Sequence, residues 1–242
     1  MSIYLKDYIN KNITNAYKEY DLKGGALRFN LWQLNRSKSN KTELNSYNVH
    51  KVVARQTIDK IHYETTKRWN SVVTEYNRSE YPELKVDYDK LDNSGIKLSP
   101  KEFLGYAYDW QIQKPIVKGK SLNTNWFFRY DQAEIESNKI EIDYSVPRLE
   151  KLGLEFNGGF IQAFLYPPFS LKLDGSIKQT GEYVIDFMKL FFDDLQNIEI
   201  FTWSIDCAFY FDAGKEWWGS YFWTVYNPTK DIYLGIVASE TD

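Results

Sequence analysis

The chain has 242 residues, enough for one large domain or two small ones and for a core that needs neither disulfide nor metal to hold it. A net charge of −3 lacks the basic excess of a dedicated nucleic-acid binder, and a single cysteine excludes an intramolecular disulfide. Aromatic residues reach 17%, with 8 Trp, 19 Tyr and 15 Phe against 2 Met, so rings carry most of the apolar area of an aromatic-rich core and surface.

The first residues, Met-Ser-Ile-Tyr-Leu-Lys-Asp, lack the basic segment, apolar core and small-residue cleavage site of a signal peptide. No apolar run approaches the roughly 18 residues of a spanning helix. The expected location is cytoplasmic, with no membrane association. Residues 2–20 read as an amphipathic helix, with Leu5, Ile9, Ile13, Ala16 and Tyr20 at helical spacing. Gly24-Gly25 stops it. Leu27, Phe29 and Leu31 alternate with polar residues as a strand does, and Trp32 and Leu34 break the alternation, which leaves room for a second short helix.

From about Glu43 to Arg78 the pattern is helical again. Ala54, Ile58, Ile61, Thr65, Trp69, Val72 and Tyr76 form its apolar stripe. Lys51, Arg55, Lys60, Lys67 and Arg68 on the other face read as an ordinary solvated surface, not a nucleic-acid footprint. Tyr81-Pro82 ends this helix, and the polar stretch 82–100 is the boundary candidate between a helix-rich part (1–95) and a β-rich part (96–242). Ser99-Pro-Lys-Glu102 has the form of a helix start, predicting a helix through Phe103, Leu104, Ala107 and Trp110 that ends before Pro115.

Trp126–Tyr130 and Lys139–Tyr144 read as strands, and Val146–Leu152 as a helical turn or two. Phe160–Tyr166 is apolar except for Gln162 and reads as a central strand, left through Tyr166-Pro167-Pro168. Thr180 is expected to cap a helix over 181–196, with Asp193-Asp194 oddly placed at its negative end. Ile198–Ile205, Ser220–Tyr226 and Ile232–Ala238 read as strands, the last two joined by a five-residue loop. The fold class is therefore α+β. It is mainly an antiparallel sheet from the C-terminal half, covered by helices from the N-terminal half in one domain over 1–242.

Residues 206–223 hold the chemistry most worth testing: carboxylates (Asp206, Asp212, Glu216), an ammonium (Lys215), the only cysteine (Cys207) and the rings Trp217, Trp218 and Trp223. His50 and His62 are twelve apart on the long helix, too far for one metal, and read as surface histidines. Cys207 reads as a buried, inert thiol. No metal and no cofactor is implied. The leading reading is a non-catalytic binding protein that captures a basic protein partner, as an inhibitor or toxin-neutralising (immunity-type) protein does. Its contact residues would be Asp206, Asp212, Lys215, Glu216, Trp217, Trp218 and Trp223, with Tyr166 lining a second aromatic corner. One alternative is a hydrolase of a carbohydrate or other polar small molecule, with Asp212 and Glu216 as acid and base on one helical turn. Another is a carbohydrate-binding module that stacks sugars on its tryptophans.

Overall fold

Strand pairing, not helical spacing, governs the first residues. The computed structural model of the protein describes residues 3–76, 85–105, 107–110, 113–118, 127–129, 159–169, 171–173, 177–215 and 218–239. β1 (Leu5–Asp7) pairs antiparallel with β2 (Arg28–Leu34), Leu5 opposite Leu34. The helix expected over 2–20 thus begins later, as α1 (Lys11–Leu22), and Ile9 is 85% exposed rather than core. β2 runs on through Trp32 and Leu34, which are buried, so no short helix forms there. The bulk of Trp32 does not disturb the period: it follows Asn30 on the same side of the strand.

Next come α2 (Ser46–Tyr76), α3 (Tyr88–Asp92) and β3 (Ile96–Leu98). α4 (Pro100–Leu104) starts where the sequence predicts, with a full capping box between Ser99 and Glu102. It is far shorter than expected. Gly105, at φ 75°, ends it, and Tyr108 already lies in β4 (Tyr108–Asp109), so Trp110 is not helical. β5 (Lys114–Lys118) and β6 (Phe127–Arg129) follow. The expected elements at 139–144 and 146–152 lie outside the described residues.

The run expected as a central strand is instead α5 (Gly159–Leu165). The bond between Tyr166 and Pro167 is trans. α6 (Ile177–Phe191) starts and ends earlier than predicted, so Thr180 is a buried interior residue and not a cap. Asp193 and Asp194 fall beyond its end, where Asp193 takes a left-handed φ of 62°, and the expected clash with the helix dipole does not arise. β7 (Glu199–Thr202), α7 (Asp212–Lys215), β8 (Ser220–Asn227) and β9 (Ile232–Ser239) complete the order. The β8–β9 loop is one residue shorter than predicted, because Asn227 pairs with Ile232 as the last rung.

The chain forms two compact units. The first comprises Met1–Asn10, Leu27–Leu98 and Asn197–Asp242. Its six-stranded antiparallel sheet runs β1-β2-β9-β8-β7-β3 and therefore draws half its strands from the first hundred residues. α2 lies on one face of this sheet. The register puts Asn30, Gly235, Thr224, Phe201 and Lys97 in one row across that face, and Trp32, Tyr233, Tyr226 and Glu199 in the next. His50, Val53, Ala54, Thr57, Ile58 and Ile61 make the buried side of α2. On the opposite face Ile200, Val225, Leu234, Ile236 and Ala238 are also buried, which explains why β8 and β9 read as nearly continuous apolar runs.

The second unit comprises Lys11–Ala26 and Ser99–Gln196. It holds α1, α4, α5, α6 and the three-stranded antiparallel sheet β4-β5-β6. Its core is a set of stacked rings: Tyr20 on Phe164 at 4.4 Å, and Phe187 on Phe191 at 4.1 Å. Gly159 and Gly105 let α4 and α5 meet, since a Cβ on Gly159 would lie 2.5 Å from the Gly105 nitrogen. Among the described residues no helix is long and apolar enough to cross a membrane.

Candidate functional site

The segment from 204 to 220 is a folded-back bend. The Ser204 hydroxyl caps a 3-10 turn over Ile205–Cys207 by accepting the Asp206 N–H at 3.1 Å, and the Cys207 carbonyl accepts the Asp87 N–H at 2.7 Å. A second such turn, Phe209–Phe211, leads directly into α7. Ser220 and Ser239 tie the bend to the sheet: the Ser220 hydroxyl donates to the Phe211 carbonyl at 2.6 Å, and the Gly214 N–H donates to Ser239 Oγ at 3.2 Å. Only glycine fits at 214, where a Cβ would lie 2.6 Å from the Gly219 carbonyl oxygen.

Lys215 is the centre of this bend. Its Nζ donates to Asp206 Oδ1 at 2.7 Å and to Asp212 Oδ1 at 2.9 Å. Partial burial opposes its charge, but the two carboxylates outweigh burial and raise its pKa; the same hydrogen bond lowers that of Asp206. Both acids remain largely in solvent, with side chains 70% and 66% exposed. Among the described residues of the bend, two carboxylates and one ammonium leave one net negative charge. Trp218 sits edge-on to Tyr221 at 5.5 Å, and Tyr221 stacks on Trp223 at 4.9 Å. Trp223 itself is buried in β8. Glu216 and Trp217 lie outside the described residues. Tyr166 belongs to the second unit, half-buried just after α5. The Cys207 thiol is buried, and burial pushes its pKa up to about 12, so it is not a ready nucleophile.

The polar groups that sequence reasoning missed lie under α2. His50 was expected at the surface; it is fully buried. Its Nδ1 lies 2.7 Å from Thr224 Oγ1, and its Nε2 faces Glu199 Oε2 at 3.8 Å. The indole N–H of Trp203 donates to the same Thr224 oxygen at 2.8 Å, and Lys97 donates to Glu199 at 2.7 Å. Phe201 and Tyr233 wall the imidazole, with ring centroids 4.7 and 5.4 Å away. The signal was present: His50 stands four residues before Ala54, on the same helical stripe.

The cationic face of α2 is partly neutralised by its own unit. Arg55 pairs with Asp92 and lies 4.8 Å over the Tyr88 ring, whose hydroxyl donates to Asp59 at 2.6 Å. Lys60 donates to Asp7 at 2.6 Å and lies over Trp32. Among the described residues no three His, Cys, Asp or Glu side chains come together as a metal site. Compared with protein-family models, curated proteins and solved structures, the chain matches none.

Proposed function

We propose that the protein is a non-catalytic binding protein that captures a basic protein partner on the bend at residues 206–218, in the manner of an inhibitor or toxin-neutralising protein. One observation carries the reading: Asp206 and Asp212 are held by a single lysine yet keep most of their surface in water. Lys215 uses one oxygen of each acid, so a partner's arginine or lysine meets carboxylates already oriented. Pre-orientation lowers the ordering cost of binding, and the net negative charge speeds encounter with a cation-rich surface. The partly exposed Trp218 beside Tyr221 adds ring area of the kind that anchors such contacts.

The test is affinity capture from the source cell with the wild-type chain and the Asp206→Lys/Asp212→Lys double variant side by side. The expected result is a basic protein enriched by wild type alone. Its association rate falls on raising salt, and falls about tenfold or more with the double variant. Equal capture by both chains, or an association rate indifferent to salt, would overturn the reading.

A further inference from the structure

The buried histidine under α2 sits in a hydrogen-bond chain with only one consistent direction. The Trp203 indole N–H can only donate, so the Thr224 oxygen 2.8 Å away accepts it. Thr224 has one proton of its own, and His50 Nδ1 stands 2.7 Å off. If Nδ1 carried the ring proton, Thr224 would have to accept twice and send its own proton elsewhere inside a site with no exposed surface. The bare Nε2 lone pair would then face the Glu199 carboxylate at 3.8 Å. Both difficulties ease if Thr224 donates to Nδ1 and the proton sits on Nε2, which makes no hydrogen bond but faces the Glu199 carboxylate at 3.8 Å, where a proton is attracted and a lone pair repelled.

We infer that Trp203, Thr224, His50 and Glu199 form a one-way relay that fixes His50 as its neutral, Nε2-protonated form, and that this relay is an acid-released latch holding α2 to strands β7 and β8. A second proton on His50 must go to Nδ1, against the hydroxyl that now donates to it, and it places a full charge where no water reaches. The groups facing the ring do not rescue that charge. Glu199 on β7 attracts it, but Glu199 is already bonded to Lys97 from β3, whose ammonium repels the imidazolium. From β9 and β8 come the rings of Tyr233 and Tyr226, which stack on each other at 4.5 Å, with Arg36 and Asp231 near them and of opposite charge. On α2 itself, Ser46 bonds Glu199.

Burial therefore wins and holds the His50 pKa below its ordinary 6.5. The unfolded chain takes up this proton below pH 6.5 and the folded chain does not, so the folded-to-unfolded ratio falls as pH drops, by up to about tenfold per pH unit from this group. Glu199, lowered chiefly by the facing His50 and then by Lys97, loses its own contribution in the same direction but only below its ordinary 4.5. The two windows are separate, and the first belongs to His50.

The experiment uses the full chain, which has two histidines. Long-range proton–nitrogen correlation spectra of the His62→Asn variant read the His50 ring alone. At pH 7.5 the expected result is an unprotonated Nδ1 and a protonated Nε2, unchanged in Thr224→Ser, which keeps the hydroxyl. Urea denaturation between pH 8 and pH 5 should show stability falling below pH 6.5 in wild type, with that fall largely absent in His50→Gln. The spectra stand even if His50→Gln does not fold. A proton on Nδ1, an imidazolium persisting above pH 6.5, or equal pH slopes in wild type and variant would each overturn the latch.

Discussion

Gly235→Ala is expected to destabilise the protein by about 3 kcal/mol, although alanine is the better strand residue by about 0.5–1 kcal/mol. The reason is position. Gly235 sits in the middle of β9, in the row that passes beneath α2, and a Cβ built there lies 1.8 Å from Thr57 Oγ1 and 2.7 Å from Thr57 Cβ. Those atoms belong to a fully buried side chain on a helix, not to a flexible tip. The clash is relieved only if α2 lifts from the sheet, and His50, Ala54 and Ile58 would lift with it. Packing loss over that stripe exceeds the local gain in propensity.

Thr57 offers the control. Thr57→Ala in the Gly235→Ala background removes the closest oxygen but leaves Cβ in place, so it should recover only part of the loss. Thr57→Gly should recover more, less about 1 kcal/mol for glycine in a helix. Each change also strips the Trp32 indole of its acceptor at 3.1 Å, so full recovery is not expected. Urea midpoints at constant slope give the double-mutant cycle. Additive losses would show that the helix and strand do not meet at this point.

The elements most readable in the sequence were those whose local and tertiary demands agree. α2 has no glycine or proline from Ser46 to Tyr76 and a continuous apolar stripe, so its period decides the matter. The β8–β9 pair is dense in β-branched and ring residues around a proline loop and was equally plain. The failures have physical causes. Leu5 has helical spacing to Ile9 but finds a partner strand in β2, and pairing outweighs a weak local preference. The run from Phe160 to Leu165 is buried on nearly all sides, and such a run has no period by which helix and strand differ.

At the site, the sequence located the bend and its charges but not their arrangement. Lys215 stands three residues after Asp212, a spacing at which side chains on one helical turn meet, and the two do pair. The bond from Lys215 to Asp206, nine positions back, depends on two 3-10 turns that no simple period announces. The His50 group was least legible. Its members come from β3, α2, β7 and β8, with Trp203 just past β7; the helical stripe marks His50 as inward-facing, but no local pattern names the strands that will cover it.

Phe164→Ala should be the most damaging single truncation in the second unit, lowering stability by about 4 kcal/mol. Phe164 is fully buried on α5 and is a hub for rings from three helices. Tyr20 of α1 stacks on it at 4.4 Å, Phe187 and Tyr183 of α6 lie at 4.7 and 5.9 Å, and Phe160 of its own helix at 5.8 Å. Large flat rings cannot close a ring-sized void by small rotations, so most of the cavity should persist. The backbone adds to the effect: the Tyr20 hydroxyl donates to the Phe164 carbonyl at 3.3 Å, a bond that depends on the stack to hold Tyr20 in place. Phe164→Leu, which refills part of the volume without the ring, should cost less than half as much. Urea denaturation gives the magnitude, and amide hydrogen exchange gives the place, with protection expected to fall first in α1, α5 and α6. A loss near 1 kcal/mol for Phe164→Ala, or exchange rising elsewhere before those helices, would mean that this ring cluster does not hold the second unit together.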